Sequence, residues 1–118
     1  MIKRYLRVIN GLCKFSEIDI SRNSKGEDEY LFDHESGWCD ATMHDIEWIN
    51  GCVDAIAFSR SLGNNSHYII NRISGSLVDT DYVSVWLATI KAIEEMENII
   101  LVNGDEIPDL VKNHLPKN

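Results

Sequence analysis

Apolar residues recur at helical spacing in two long stretches of the chain. In residues 41–62 they are Met43, Ile46, Ile49, Val53, Ile56 and Ala57. Later in the chain they are Val83, Trp86, Leu87, Ile90, Ile93 and Met96. A period of 3.6 residues places each set on one side of a helix, so both stretches are predicted to be helices that turn these residues inward. Gly63 is predicted to end the first helix, and Thr80 or Asp79 to cap the second.

Residues 68–78 predict a long strand at the centre of a sheet. They are rich in β-branched and bulky side chains, which favour strands, and Gly75 within them predicts a bulge. Residues 30–32 and 99–102 predict two shorter strands, the second of them buried.

The first 13 residues fit two different structures. Helical spacing of Ile2, Tyr5, Leu6, Ile9, Leu12 and Cys13 favours a basic amphipathic helix. The pair Asn10-Gly11, however, is a strong sequence signal for a hairpin turn. We expect the helix, and we keep a hairpin of two strands as the alternative.

The alternation of helices and strands predicts an α/β or α+β fold with one small sheet and helices packed on it. A length of 118 residues fits a single domain spanning residues 1–118. Arg7 and Asn10 interrupt the apolar start and argue against a secretion signal, and no other run approaches a membrane span. The three cysteines lack CxxC spacing, which fits a reducing cytoplasm.

The charge pattern indicates a possible binding surface, because the negative charge is concentrated in one third of the chain. The formal net charge is −8. Residues 26–59 contain no lysine or arginine, but they contain the carboxylates Glu27, Asp28, Glu29, Asp33, Glu35, Asp40, Asp45, Glu47 and Asp54. Such a segment produces a negative electrostatic potential that would attract a basic partner. It also argues against nucleic-acid binding, which requires a basic surface.

Part of this acidity is predicted to lie on one solvent-facing stripe of the first long helix. The stripe consists of Asp40, His44, Glu47, Gly51 and Asp54. Trp38 and Trp48 lie in the same segment, and tryptophan is enriched at the centres of protein interfaces. Both are candidate apolar anchors, although for any single tryptophan we expect burial in the core more often than exposure.

Catalytic chemistry has weaker support. Asp33, His34, Cys39 and His44 are possible groups for a small metal-dependent or acid/base enzyme, but their spacing matches no zinc motif. Cys39 or Cys52 as a nucleophile would need a nearby cation, and the surrounding sequence is anionic. No glycine-rich phosphate loop is present. We therefore expect no enzyme, cofactor or bound metal, and we keep the enzyme of residues 33–44 as the alternative function.

In size, acidity and order of helices and strands the chain resembles the immunity proteins of bacterial contact-dependent growth inhibition and related polymorphic toxin systems. Residues 26–33 and the stripe from Asp40 to Asp54 carry most of the resemblance. It implies a cytoplasmic antitoxin that binds the C-terminal domain of a cognate toxin, expected to be a basic nuclease, without touching nucleic acid or membrane. From the charge pattern, the predicted partner-binding residues are Glu27, Asp28, Glu29, Asp33, Glu35, Trp38, Asp40, Glu47, Trp48 and Asp54.

Overall fold

The protein has an α+β fold in which a mixed sheet packs against helices. A computed structural model describes residues 1–9, 11–31, 39–40 (backbone only), 46–76, 78–104 and 106–115. In chain order the elements are β1 (Ile2–Ile9), β2 (Leu12–Arg22), β3 (Glu29–Tyr30), β4 (Cys39–Asp40), α1 (Ile46–Ser61), β5 (Tyr68–Gly75), α2 (Tyr82–Glu97) and α3 (Asp109–Lys112).

The strand β5 is the centre of the sheet, as the sequence predicts, but it ends at Gly75 and not at residue 78. The order is β1-β2-β5-β3, and β4 also pairs with β5. The β5 strand is parallel to β3 and antiparallel to β2 and β4. The bulge predicted at Gly75 lies elsewhere: Asp19 faces Arg72 and Ile20 faces Ile70, so Asn71 is the extra residue.

The N-terminal segment is a hairpin, so the predicted helix is wrong and the alternative is confirmed. β1 and β2 are antiparallel, with Ile9 facing Leu12 across the turn. Gly11 has φ of 78°, a conformation that glycine adopts without steric cost. Tyr5 and Ile9 are buried while Leu6 and Val8 are exposed. The apolar residues that suggested a helix are therefore split between the two faces of a strand.

Helix α2 is buried on nearly all sides, which confirms the predicted core stripe from Val83 to Ile93. Lys91 and the last turn, with Met96 partly buried, reach solvent. The cap is Asp81 instead of Thr80 or Asp79. Its carboxylate accepts the Ser84 N–H at 2.9 Å, and the Ser84 hydroxyl accepts the Asp81 N–H at 3.0 Å, which forms a capping box.

Helix α1 ends before Gly63 as predicted, but the face that it turns inward differs from the predicted one. Ile46, Val53 and Ala57 are exposed, and the buried residues are Trp48, Gly51, Cys52, Ala55, Ile56 and Ser59. The helix is therefore turned by roughly a third of a turn from the prediction. The reason is close approach to α2, because a Cβ on Gly51 would lie 2.7 Å from the Tyr82 carbonyl oxygen.

The segment 99–102 is irregular, so the predicted buried strand is wrong. Ile100 is 81% exposed. The Glu94 carboxylate shapes the segment by accepting the backbone N–H groups of Leu101 at 2.7 Å and Val102 at 3.1 Å. Burial alone raises the pKa of Glu94, but these two donors and Lys91 outweigh it and hold the pKa below its ordinary value.

We predict that Gly51→Ala destabilises the protein. Gly→Ala in a helix interior normally stabilises by about 1 kcal/mol. Here the added methyl group would meet the backbone of α2, so we expect a loss of about 1–3 kcal/mol. Urea unfolding measures the change, and Asn50→Ala, on the exposed side of α1, is the control that should not destabilise. A Gly51→Ala variant as stable as the parent would contradict this packing.

Candidate functional site

The exposed side of α1 combines apolar and acidic residues, and we call it the α1 outer face. Its members are Ile46, Glu47, Asn50, Val53, Asp54 and Ala57, all of which are exposed. At 3.6 residues per turn, Ile46, Val53 and Ala57 form one row, and Glu47 and Asp54 form the next. Ile46 is 66% exposed. An apolar row of this kind beside carboxylates is typical of a protein interaction site.

Asp54 is held in position by a tyrosine from α2. The Tyr82 hydroxyl donates to Asp54 Oδ2 at 2.6 Å, and the His114 ring stacks on the Tyr82 ring with centroids 3.7 Å apart. Burial, together with the nearby carboxylate, raises the pKa of Tyr82, so the hydroxyl stays protonated as a donor. The carboxylate of Asp54 is therefore fixed before any partner arrives.

A cleft of about 230 Å³ adjoins the acidic row of the α1 outer face. Phe58, Ile100, Val102 and Pro108 supply apolar parts of its lining, and Glu106 lies at the same cleft. Phe58 follows Asp54 by four residues, which places the two side chains on neighbouring turns of one helix face. An apolar side chain of a partner could enter here beside a carboxylate.

The acidic loop between β2 and β3 is held by an asparagine. The Asn23 amide donates to the Glu27 carbonyl oxygen at 2.8 Å and to Glu29 Oε1 at 3.2 Å. Asn23 Oδ1 accepts the Lys25 N–H at 3.0 Å. Of the predicted contact residues Glu27, Asp28 and Glu29, Glu27 alone is exposed.

Asp28 fastens the loop to the end of α1 and is not available as an exposed charge. Its two oxygens accept from the Arg60 guanidinium at 2.8 and 3.2 Å, and Oδ1 also accepts the Tyr68 N–H at 2.9 Å. Burial raises the pKa of the Asp28 carboxyl, but Arg60 and the Tyr68 N–H outweigh it and keep the pKa below its usual value. Asp28 is thus a structural residue.

Most of the positive charge is neutralised within the chain. Among the residues that the structure describes, eight of the chain's 11 lysines and arginines are seen in ion pairs. The pairs are Lys3–Glu95, Arg4–Glu17, Lys14–Asp81, Arg22–Glu97, Arg60–Asp28, Arg72–Glu17, Lys91–Glu94 and Lys112–Asp109. Among the described residues, no ion pair involves Glu47 of the α1 outer face.

Trp48 and Cys52 belong to the core. Trp48 is 4% exposed, and its indole N–H donates to the Thr80 carbonyl oxygen at 3.2 Å. The expectation of an exposed anchor at Trp48 is therefore wrong. Cys52 is fully buried, and its sulfur lies 3.4 Å from the Thr89 hydroxyl. Burial raises the pKa of the Cys52 thiol to about 12, which removes it as a nucleophile.

The remaining candidate residues fall where side chains are not described. Asp33, His34, Glu35, Trp38 and His44 lie outside the described residues, and Cys39 and Asp40 are placed only as the backbone of β4. The contact roles predicted for Asp33, Glu35, Trp38 and Asp40 stay predictions, as does the alternative enzyme of residues 33–44. Within the described part of the chain, no three His, Cys, Asp or Glu side chains are grouped to hold a metal ion.

Comparison with known proteins finds no family model that matches the sequence and no matching curated protein. No helix among the described residues combines the length and apolar character needed to cross a membrane.

The apolar members of the site are the residues that sequence reasoning placed wrongly. Ile46, Val53 and Ala57 were predicted to point inward and instead form the exposed row. The signal that could have placed them correctly is the opposite stripe of small residues, Gly51, Cys52, Ala55 and Ser59, which permits close helix packing but scores weakly for hydrophobicity.

We predict that Asp28→Asn lowers stability at pH 7 by about 1 kcal/mol, because the ion pair with Arg60 is partly solvated. The pKa of Asp28 is lower in the folded chain than in the unfolded chain. Its stabilising effect is therefore complete above the unfolded pKa, near 4, and is lost as pH falls through the folded pKa. Urea unfolding of both proteins from pH 7 to pH 3 should show the difference shrinking. A difference independent of pH would contradict this role.

Proposed function

We propose that this protein is a cytoplasmic immunity protein that binds a basic toxin domain, of the nuclease class, through the α1 outer face and blocks its activity. The observation that carries the proposal is the exposed apolar row of Ile46, Val53 and Ala57 beside the carboxylates Glu47 and Asp54. The chain resembles polymorphic-toxin immunity proteins in size and acidity, which supports the same class.

Electrostatics supports a cationic partner. The net charge is −8, most lysines and arginines are already paired inside the chain, and residues 46–59 contain no basic side chain. A nuclease cleft is basic because it binds phosphates, so an acidic helix face can occupy it in place of nucleic acid. Complementary charge also speeds encounter between the two proteins.

The rigidity of the site supports tight binding as well as fast encounter. Asp54 is held by Tyr82 at 2.6 Å, and α1 packs against α2 through the backbone contact at Gly51. A partner would therefore meet a preformed surface and would lose little free energy in ordering it. The apolar row and the adjoining cleft provide the contacts that slow dissociation.

The test is coexpression with the toxin domain, which we expect at the C-terminus of the protein encoded immediately upstream. Glu47→Lys combined with Asp54→Asn should abolish protection and weaken binding at low salt by at least about tenfold. Asn at position 54 keeps a side-chain oxygen that can accept from Tyr82, so the fold should be retained. Far-ultraviolet circular dichroism and urea unfolding check that it is.

The matched control is Asp109→Lys on α3, where the side chain is 99% exposed. It changes the net charge by two units, one fewer than the double variant, and lies on a different element. If the proposal holds, Asp109→Lys protects as well as the parent chain. Protection that survives the changes at residues 47 and 54, or fails equally with Asp109→Lys, would remove the α1 outer face from the binding site.

A separate prediction concerns the apolar row. Ile46→Ala combined with Val53→Ala removes exposed side chains, so stability should change by less than about 0.5 kcal/mol. Dissociation of the toxin domain should become at least about tenfold faster while association changes little, because apolar contacts act after encounter. Surface plasmon resonance separates the two rates. An unchanged dissociation rate would show that the row lies outside the interface.

A further inference from the structure

The strand β1 forms an open edge of the sheet. Among the described residues it pairs only with β2, although it is eight residues long. An uncovered edge strand of this length can pair with another strand. No proline interrupts it.

The backbone groups that point to this edge can be identified from the ladder between β1 and β2. Met1 and Ile20 exchange two backbone hydrogen bonds, at 2.7 and 2.9 Å. Residues that exchange bonds alternate along an antiparallel ladder, so the odd-numbered residues of β1 bond to β2. The N–H and C=O groups of Ile2, Arg4, Leu6 and Val8 therefore point away from the sheet.

The side chains of the same four residues lie on the exposed face of the sheet. Leu6 is 70% exposed and Val8 is 67% exposed. Tyr5 and Ile9, on the opposite face, are buried, where α2 packs against β1. The open edge thus combines unpaired backbone groups with exposed apolar side chains.

The charged side chains at the edge do not require an acidic partner strand. Lys3 is paired with Glu95 at 2.9 Å and Arg4 with Glu17 at 2.5 Å, so neither cation requires a carboxylate from a partner. A two-fold axis through the edge also makes the hydrogen-bonding pattern of β1 complementary to itself.

We propose that the protein forms a symmetric dimer in which β1 pairs with β1 of a second copy, antiparallel and centred on Leu6. This register places Leu6 opposite Leu6, Arg4 opposite Val8, Tyr5 opposite Arg7 and Lys3 opposite Ile9. No two like charges face each other. Shifting the register by two residues places Lys3 opposite Arg7 in one direction and Arg7 opposite Arg7 in the other, and both are unfavourable.

The oligomeric state of the purified chain tests the proposal. Light scattering at concentrations on the order of 100 μM should give twice the chain mass of 13.5 kDa. Leu6→Lys places two ammonium groups at the two-fold axis and should give the single-chain mass. Val78→Lys, at a residue that is 85% exposed on another part of the surface, should leave the dimer intact. A monomeric parent chain, or a dimer unaffected by Leu6→Lys, would overturn the proposal.

Oxidative crosslinking tests the register. In a chain with Cys13 and Cys39 replaced by serine, Leu6→Cys should form an intermolecular disulfide, because facing Cα atoms in a hydrogen-bonded pair lie about 5.5 Å apart. Val8→Cys is the matched control. Its two copies would be displaced by about 13 Å along the strands and should not crosslink. Equal crosslinking of both variants, or none with Leu6→Cys, would refute the Leu6-centred pairing.

Discussion

The burial of α2 between the sheet and α1 is the constraint on which the rest of the structure depends. On one side the Ser16 hydroxyl of β2 donates to the Ser84 carbonyl oxygen at 2.7 Å. On the other side Gly51 of α1 lies against the Tyr82 carbonyl oxygen. Because α2 offers a second apolar side, α1 covers it with small residues such as Gly51 together with Trp48 and Ile56. The apolar residues Ile46 and Val53 are left facing outward.

The same arrangement determines the electrostatics of the surface. Lysines and arginines lie where they fasten elements together: Arg60 joins α1 to the loop before β3 through Asp28, and Lys14 of β2 pairs with the α2 cap Asp81 at 2.8 Å. These lysines and arginines therefore form ion pairs within the fold, and much of the net negative charge remains exposed. The same distribution of charge therefore stabilises contacts between elements and leaves the proposed binding surface acidic.

The sequence predicts the fold correctly in segments where the apolar residues follow a single helical or strand pattern. The stripe of α2 and the β-branched run of β5 both indicate elements correctly, because each is buried by apolar side chains. The predicted helix is wrong for β1, where Leu6 and Val8 are exposed. For α1 the helix is correct but its inward face is not, because small residues such as Gly51 make the contact with α2. Hydrophobic spacing assumes that large apolar residues point inward. For the candidate site, Glu47 and Asp54 were predicted from charge and spacing to face solvent, and both are exposed. Trp48 and Asp28 were misplaced because tertiary partners decide their exposure.

The measurement that tests the central claim most directly is the salt dependence of association with the toxin domain. If the α1 outer face docks into a basic cleft, the association rate constant of the parent chain should fall about tenfold or more between roughly 20 and 200 mM salt. The variant with Glu47→Lys and Asp54→Asn should show a much smaller dependence. An association rate that is independent of salt, or equal slopes for the two chains, would contradict the account.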